Sequence, residues 1–357
     1  MKIVSVVGAR PQFIKAAAIS PLLRDRFTEV LVHTGQHYDE DMSQVFFREL
    51  GLQEPEINLR VGSGKHGEQT AAMLVGLERV LLSEKPDCVL VYGDTNSTLA
   101  GALAAAKLHI PVAHVEAGLR SYNRLMAEET NRVLTDHAAN ILLCPSAAAV
   151  ENLEREGIRE GVHLVGDVMA DTLRIASQRV ASQSRILESL GVQEGGFLLL
   201  TVHRAENTDK LSRLMGIFSA LESLDETVIV PLHPRTRKTM QQAGIKPANP
   251  RVKLIEPLGY IDMVRLEQAA RMLLTDSGGV QKEAYWLGIP CITLRDETEW
   301  VETVAAGWNL IAGTEAERIL EAVRTFQPPA ARPVLYGDGH AAQRCVEILS
   351  SEVQSIK

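Results

Sequence analysis

The sequence predicts an α/β protein made of two Rossmann-like domains facing across a cleft. Three observations carry this reading. Short runs rich in Val, Ile and Leu alternate with helix-length stretches along the chain. Those runs are apolar at consecutive positions, as strands buried on both faces of a parallel sheet must be. The alternation breaks once, and a fresh series opens at Phe197. Alternating β and α units imply a doubly wound architecture, and 357 residues fit two domains better than one.

The first series of strands reads "KIVSVVG" (2–8), "EVLVHTG" (29–35), "CVLVYGD" (88–94), "VAHVEAG" (112–118), "ILLCPS" (141–146) and "VHLVGD" (162–167). The second reads "FLLLTVH" (197–203), "VIVPLHP" (228–234), "VKLIEP" (252–257), "MLLTDSG" (272–278) and "PCITLRD" (290–296). Helix-length stretches such as "STLAGALAAAKLH" (97–109) separate them. The interruption is a long polar helical stretch, which places the domain boundary near residues 168–195. Open α/β sheets bind ligands at the carboxyl ends of their strands. The polar motifs fall at such ends: Gly8-Ala9-Arg10, Asp94, Glu116, His203, His233 and Ser277.

Composition narrows the function. Hydrophobic residues make up 45% and charged residues 23%, the balance of an ordinary soluble globular protein. Aromatics are only 4%, so the core must be mostly aliphatic. A net charge of −8 argues against a general nucleic-acid binder, which needs a basic face. Cys88, Cys144, Cys291 and Cys345 are widely spaced, with no CxxC pair. They read as buried free thiols, which fits a reducing cytoplasm. "MKIVSVVGARP" reads as a strand; its apolar run is too short for a signal peptide, and no cleavage site follows. No run approaches the ~18 apolar residues of a membrane span.

"GARPQFIKAAAI" ends a strand in Gly8 and places Arg10 and Lys15 around a helix start. Two cations there would make an anion site; a tight turn with surface charges is the plainer alternative. The G-x-G-x-x-G dinucleotide fingerprint is absent, which weighs against NAD. In "YGDTNST", Asp94 either caps the following helix, in competition with Thr95, Asn96 and Ser97, or is free for chemistry. "HVEAGLRSYNRLMAEETNR" ends an apolar strand in Glu116, where a carboxylate is costly unless paired or used. Arg120 follows four residues later. Glu128 and Glu129 open a helix, with Arg132 four residues beyond Glu128. Acids in a first turn can simply complement the helix dipole; together with Asp94 and Glu116 they can also serve acid/base work.

In the second series, "LLLTVHRAEN" and "VPLHPRTR" put His203 and His233 at strand ends beside arginines, which reads as a diphosphate pocket. No spacing matches a zinc site such as HExxH. In "LLTDSGGVQKEAYWLGIP", Ser277, Gly278 and Gly279 open a helix whose free N–H groups suit a phosphate; a bare glycine cap is the alternative. Glu283, one turn on, could accept both hydroxyls of a ribose.

Taken in order, "GARPQFIK", "YGDTNST", "HVEAGLR", "EETNR", "TVHRAEN", "TDSGGVQKEA" and "RDETEWVE" resemble the non-hydrolysing UDP-N-acetylglucosamine 2-epimerases. The likeness runs from Met1 to "YGDGHAAQRCVEIL" (336–349). It implies the glycosyltransferase-B architecture: a first domain over 1–170, a UDP-binding domain over 171–339, and a C-terminal helix (about 340–357) crossing back to the first. It also implies the reaction. UDP is eliminated across C1–C2, a 2-acetamidoglucal is held, and UDP re-adds after C2 is reprotonated on the other face. No cofactor or metal is implied, and a cytoplasmic homodimer is.

The family's catalytic residues correspond to Asp94, Glu116, Glu128 and His203. Its UDP-sugar contacts correspond to Arg10, Lys15, His203, Ser277, Gly278, Gly279 and Glu283, with Arg120, Arg132 and His233 added on motif position. Which carboxylate removes the proton stays open. Three departures matter. "HGEQTAAMLVGL" (66–77) lacks the arginine of a Q-x-x-x-R stretch that many bacterial relatives use to bind an activating UDP-sugar, so no such activation, or a different activator site, is expected. Ala127 replaces a proline. Trp300-Val301 replaces Arg-Pro, which looks more like the branch acting on UDP-2,3-diacetamido-2,3-dideoxyglucuronate. Trp300 either lines the sugar pocket or packs a loop. A UDP-sugar glycosyltransferase or a non-catalytic nucleotide-sugar sensor would share the fold, but would not need carboxylates converging on C2.

Overall fold

A computed structural model describes residues 1–36 and 49–356. The chain divides into two compact units, Met1–Ile175 with Tyr336–Lys357, and Ala176–Leu335. The division falls inside the helix Val168–Gln183, so the polar stretch that interrupts the strand series is helical. Each unit is built on one all-parallel sheet, the Rossmann-like pattern expected.

The first sheet holds β1 (Lys2–Val7), β2 (Thr28–His33), β3 (Ile57–Asn58), β4 (Cys88–Tyr92), β5 (Val112–Val115), β6 (Ile141–Cys144) and β7 (Val162–Leu164). Their order is β3-β2-β1-β4-β5-β6-β7. The second sheet holds β8 (Phe197–Thr201), β9 (Thr227–Pro231), β10 (Val252–Ile255), β11 (Met272–Thr275), β12 (Cys291–Thr293) and β13 (Asn309–Ile311). Their order is β10-β9-β8-β11-β12-β13. Both orders reverse once, between β1 and β4 and between β8 and β11. Such a switch point opens a crevice beyond the strands' carboxyl ends. Gly8 and Asp94 stand at the first, His203 and Ser277 at the second.

The consecutive apolar positions of the sequence fill the cores. Val4, Val6, Val89 and Val91 pack with Met73 and Leu77 on one face of the first sheet. Leu198, Leu200, Val228, Val230 and Leu274 do the same in the second unit. Two strands escaped the sequence reading, β3 and β13. Both lie at sheet edges, β3 with two residues and β13 with three. Several strands also stop before the expected span. β4 ends at Tyr92 and β5 at Val115 because Gly93 (φ +62°) and Glu116 (φ +72°) turn into the left-handed region.

The last helix, Ala341–Ile356, belongs to the first unit. Its entry is held there by the Ala341 N–H on the Asp171 carboxylate (3.1 Å) and by Arg344 on the Val165 carbonyl (3.1 Å). All four cysteines are free and buried, as expected. Burial pushes the thiols of Cys88, Cys144 and Cys291 up to about 12, and Cys345 higher still, so none is a nucleophile at neutral pH. Among the described residues no helix is long and apolar enough to cross a membrane.

Candidate active site

In the first unit the site grows out of three strand ends. After β1, Gly8 has no room for a side chain: a Cβ would fall 2.1 Å from Ser97 Oγ and 2.2 Å from Thr34 Oγ1. The turn is filled from inside. Gln12 Oε1 accepts the N–H groups of Gly8 (2.8 Å) and Ala9 (3.1 Å), while its Nε2 donates to the Tyr92 carbonyl (2.9 Å). The turn amides are therefore occupied, and a charge contribution from this motif rests on Arg10 and Lys15. Arg10 is half-buried at the helix start. Lys15 is buried and its Nζ is ion-paired with Glu116. Lys15 was expected among the UDP-sugar contacts; its Nζ meets the Glu116 carboxylate.

After β4, Asp94 sits beside the helix start without capping it. Thr95 is the cap, with Thr98 N–H on its hydroxyl. That leaves the Asp94 carboxylate for Arg132, with which it is ion-paired. Arg132 Nη1 also meets Glu129 (3.1 Å). Of the two acids opening the helix Ala127–Ala138, Glu129 is the structural one. It is buried and accepts the N–H groups of Ser121 (2.9 Å) and Tyr122 (2.8 Å). Glu128 is exposed, with no hydrogen bond or ion pair among the described residues. β4 and β5 are neighbours, so Asp94 and Glu116 stand on adjacent strand ends.

Arg120 was expected on the UDP-sugar; its side chain is only 1% exposed and its nitrogens meet neighbouring protein groups. Nη1 donates to Asp136 (2.7 Å) and to the Leu119 carbonyl (2.6 Å), while Nε and Nη2 grip Glu156 (2.7 and 2.6 Å). Its spacing from Glu116 reflects a buried network below the turn.

In the second unit the organiser is Asp276, which sequence reading quoted but gave no role. It is fully buried. It accepts the backbone N–H groups of His203 (3.1 Å) and Arg204 (3.0 Å) and the Asn207 side-chain amide (3.1 Å). Its Oδ1 also lies 3.5 Å from His203 Nδ1. The His203 ring packs against that of His233, centroids 5.4 Å apart. The two strand-end histidines expected to be neighbours are neighbours.

The anion loop differs in one detail from expectation. The Ser277 N–H is already given to Thr275 Oγ1 (2.9 Å), and the Ser277 hydroxyl accepts the Val280 N–H (3.4 Å). The amides of Gly278 and Gly279 have no acceptor among the described residues, and they open the ten-residue helix Gly278–Leu287. Two adjacent amides at a helix N-terminus suit a phosphate oxygen. Glu283 is buried one turn on, one oxygen held by the Tyr260 hydroxyl (2.9 Å).

Trp300 is 3% exposed, with Lys282 Nζ 4.0 Å from its ring centroid. A Cβ on Gly278 would lie 3.0 Å from its Nε1 and 2.5 Å from Glu299 Oε1. Glu299 is itself fixed by Arg295 (2.8 Å) and Arg204 (3.3 Å). Gly278→Ala is therefore expected to displace the loop, at a stability cost of about 1–3 kcal/mol that a denaturant curve checks.

A family model described as UDP-N-acetylglucosamine 2-epimerase matches residues 22–350. A Methanococcus maripaludis protein described as a UDP-N-acetylglucosamine 2-epimerase homolog is 52% identical over 354 residues, 98% of this chain and 99% of its own. The UDP-2,3-diacetamido-2,3-dideoxy-D-glucuronate 2-epimerase of Pseudomonas aeruginosa is 48% identical over 360 residues, covering 98% and 99%. Among solved structures, the Methanocaldococcus jannaschii UDP-GlcNAc 2-epimerase in complex with UDP-GlcNAc and UDP superposes with a TM-score of 0.93 at 44% identity, over 98% of this chain and 99% of that one.

Proposed function

The chain belongs to the UDP-N-acetylglucosamine 2-epimerase family, and from that premise we propose that it inverts C2 of UDP-N-acetylglucosamine without releasing the sugar from UDP. The observation that carries the proposal is the pair of carboxylates on adjacent strand ends. Asp94 follows β4 and Glu116 follows β5, each matched to its own cation.

The steps balance without an oxidant. A base takes the C2 proton, the C1–O bond to UDP breaks, and a C1–C2 double bond forms. Return of a proton to the opposite face of C2, with attack of UDP oxygen on C1, gives the epimer. Elimination followed by addition leaves the oxidation level unchanged, so no hydride carrier takes part. Asp94, Glu116 and exposed Glu128 handle the protons. The Gly278 and Gly279 amides, the Ser277 hydroxyl and His203 stabilise the departing diphosphate, with Arg10 and His233 adding to the nucleotide's contacts. Glu283, pre-set by Tyr260, takes the ribose hydroxyls.

A second substrate is supported by one relative and one motif. The Pseudomonas aeruginosa protein acts on a diacetamido-glucuronate nucleotide, and "TEWVE" is the motif that pointed to this branch. The experiment is an NMR time course in D2O with UDP-N-acetylglucosamine and no additive. UDP-N-acetylmannosamine bearing deuterium at C2 is the expected product. If only the 2,3-diacetamido-glucuronate nucleotide turns over, the sugar assignment changes and the reaction stands. Silence on both would remove the epimerase reading.

A further inference from the structure

Beneath the first unit's carboxylates lies a buried charged network that the proposed reaction does not use. His114, in β5, is fully buried. Its Nε2 lies 2.7 Å from the Gly93 carbonyl, and its Nδ1 lies 2.7 Å from Asp136 Oδ1. Asp136 Oδ2 accepts the Gly118 N–H (3.1 Å) and Arg120 Nη1 (2.7 Å). Burial alone would push the Asp136 carboxyl up, but His114 and Arg120 hold it below the usual carboxylate range, so it is an acceptor.

The chemistry of the partners constrains the ring. A backbone carbonyl can only accept, and so can an ionised carboxylate. A ring bearing two N–H groups would satisfy both acceptors. A fully buried ionic network is no better for stability than well-packed apolar side chains, so its positions call for another reason. They span the turns that carry the chemistry. Gly93 precedes Asp94, and Gly118 lies two residues after Glu116. Gly93, Glu116 and Gly118 all have φ in the left-handed region, +62°, +72° and +81°. For Glu116 this costs about 1–3 kcal/mol, and it persists only where the surroundings over-determine it. The network supplies that. One ring holds the Gly93 turn and, through Asp136, the Gly118 turn. Asp136 also lies on the helix that carries Glu128 and Arg132.

We propose that His114 and Asp136 are positioning residues for proton transfer, a buried doubly donating imidazole and its carboxylate that hold the Asp94 and Glu116 turns in mutual register. This rests on the assignment of Asp94 and Glu116 to proton transfer. A displacement of about 1 Å at reacting groups can cost about a hundredfold in rate. Asp136→Asn keeps one acceptor oxygen and turns an amide donor toward either Nδ1 or the Gly118 N–H and Arg120, and it alters no residue expected to meet the substrate.

The test has two independent readouts. In nitrogen-15 spectra of the wild-type protein, both His114 ring nitrogens should carry a proton at neutral pH; one bare nitrogen overturns the proposal. In steady-state kinetics, Asp136→Asn should lower kcat about a hundredfold while KM and UDP affinity stay within about threefold. Turnover within threefold of wild type, or a parallel loss of UDP affinity, overturns it. Should Asp136→Asn fail to fold, His114→Gln is read by the same split, and the wild-type spectrum still decides the ring. A wild type silent on both UDP-sugars would sink the reaction assignment instead, and an active wild type with an equally active variant would sink the positioning role alone.

Discussion

Asp94→Asn is expected to lower turnover about a thousandfold while UDP binding changes less than threefold. Positioned acid/base groups contribute about 10²–10⁴ in rate, and the amide keeps the shape while losing both charge and basicity. UDP affinity should survive because the proposed nucleotide contacts lie almost wholly in the other unit. Glu116→Gln should be equally inactive but less stable. Its partner Lys15 has a side chain only 6% exposed, so an unmatched ammonium would be left buried. Breaking such a pair costs about 3–5 kcal/mol. Arg132 is just as buried, its side chain 4% exposed, but it keeps a second carboxylate, Glu129 (3.1 Å), when Asp94 is lost. Single-turnover assays with thermal melts separate the two: both variants dead, and only Glu116→Gln with a clearly lowered Tm. Normal turnover in either would remove that carboxylate from the mechanism.

Asp276→Ala should be the most damaging change in the second unit. The carboxylate is fully buried and collects the N–H groups of His203 and Arg204 and the amide of Asn207. Each buried donor left without an acceptor costs about 1–3 kcal/mol, so a loss of about 3 kcal/mol or more in a denaturant titration is expected. His203 would lose its backbone anchor as well as the carboxylate near Nδ1, and turnover per folded molecule should fall along with stability. Asp276→Asn keeps an acceptor for Arg204 and Asn207 and should be much milder in stability. Equal stability of the alanine variant and the wild type would show that the turn is held by something else.

Both parallel sheets and the strand-end placement of the motifs were legible in the sequence, because buried parallel strands write themselves as unbroken Val, Ile and Leu runs. β3 and β13, edge strands of two and three residues, were not. What the sequence made legible of the proposed site is the strand-end placement of Asp94, Glu116, His203 and the Gly278–Gly279 amides. A side chain's partner distant in sequence was not legible. Lys15 and Glu116 are 101 residues apart, and nothing local says that the cation faces a carboxylate. Arg120 sat at a tempting spacing from Glu116 yet belongs to Asp136 and Glu156. Asp276 looked like part of a loop motif, and its role appears only once β8 and β11 are neighbours.

On the role proposed for Glu116, its left-handed backbone sets activity against robustness. Glycine would relax that φ, and an apolar residue in place of Lys15 would remove the need for a buried counter-charge. A library screened on heat resistance alone would therefore drift toward losing both residues, and its hardiest members would be inert. Thermal engineering of this chain should hold positions 15 and 116 fixed from the outset and draw its gains from sites away from the strand ends.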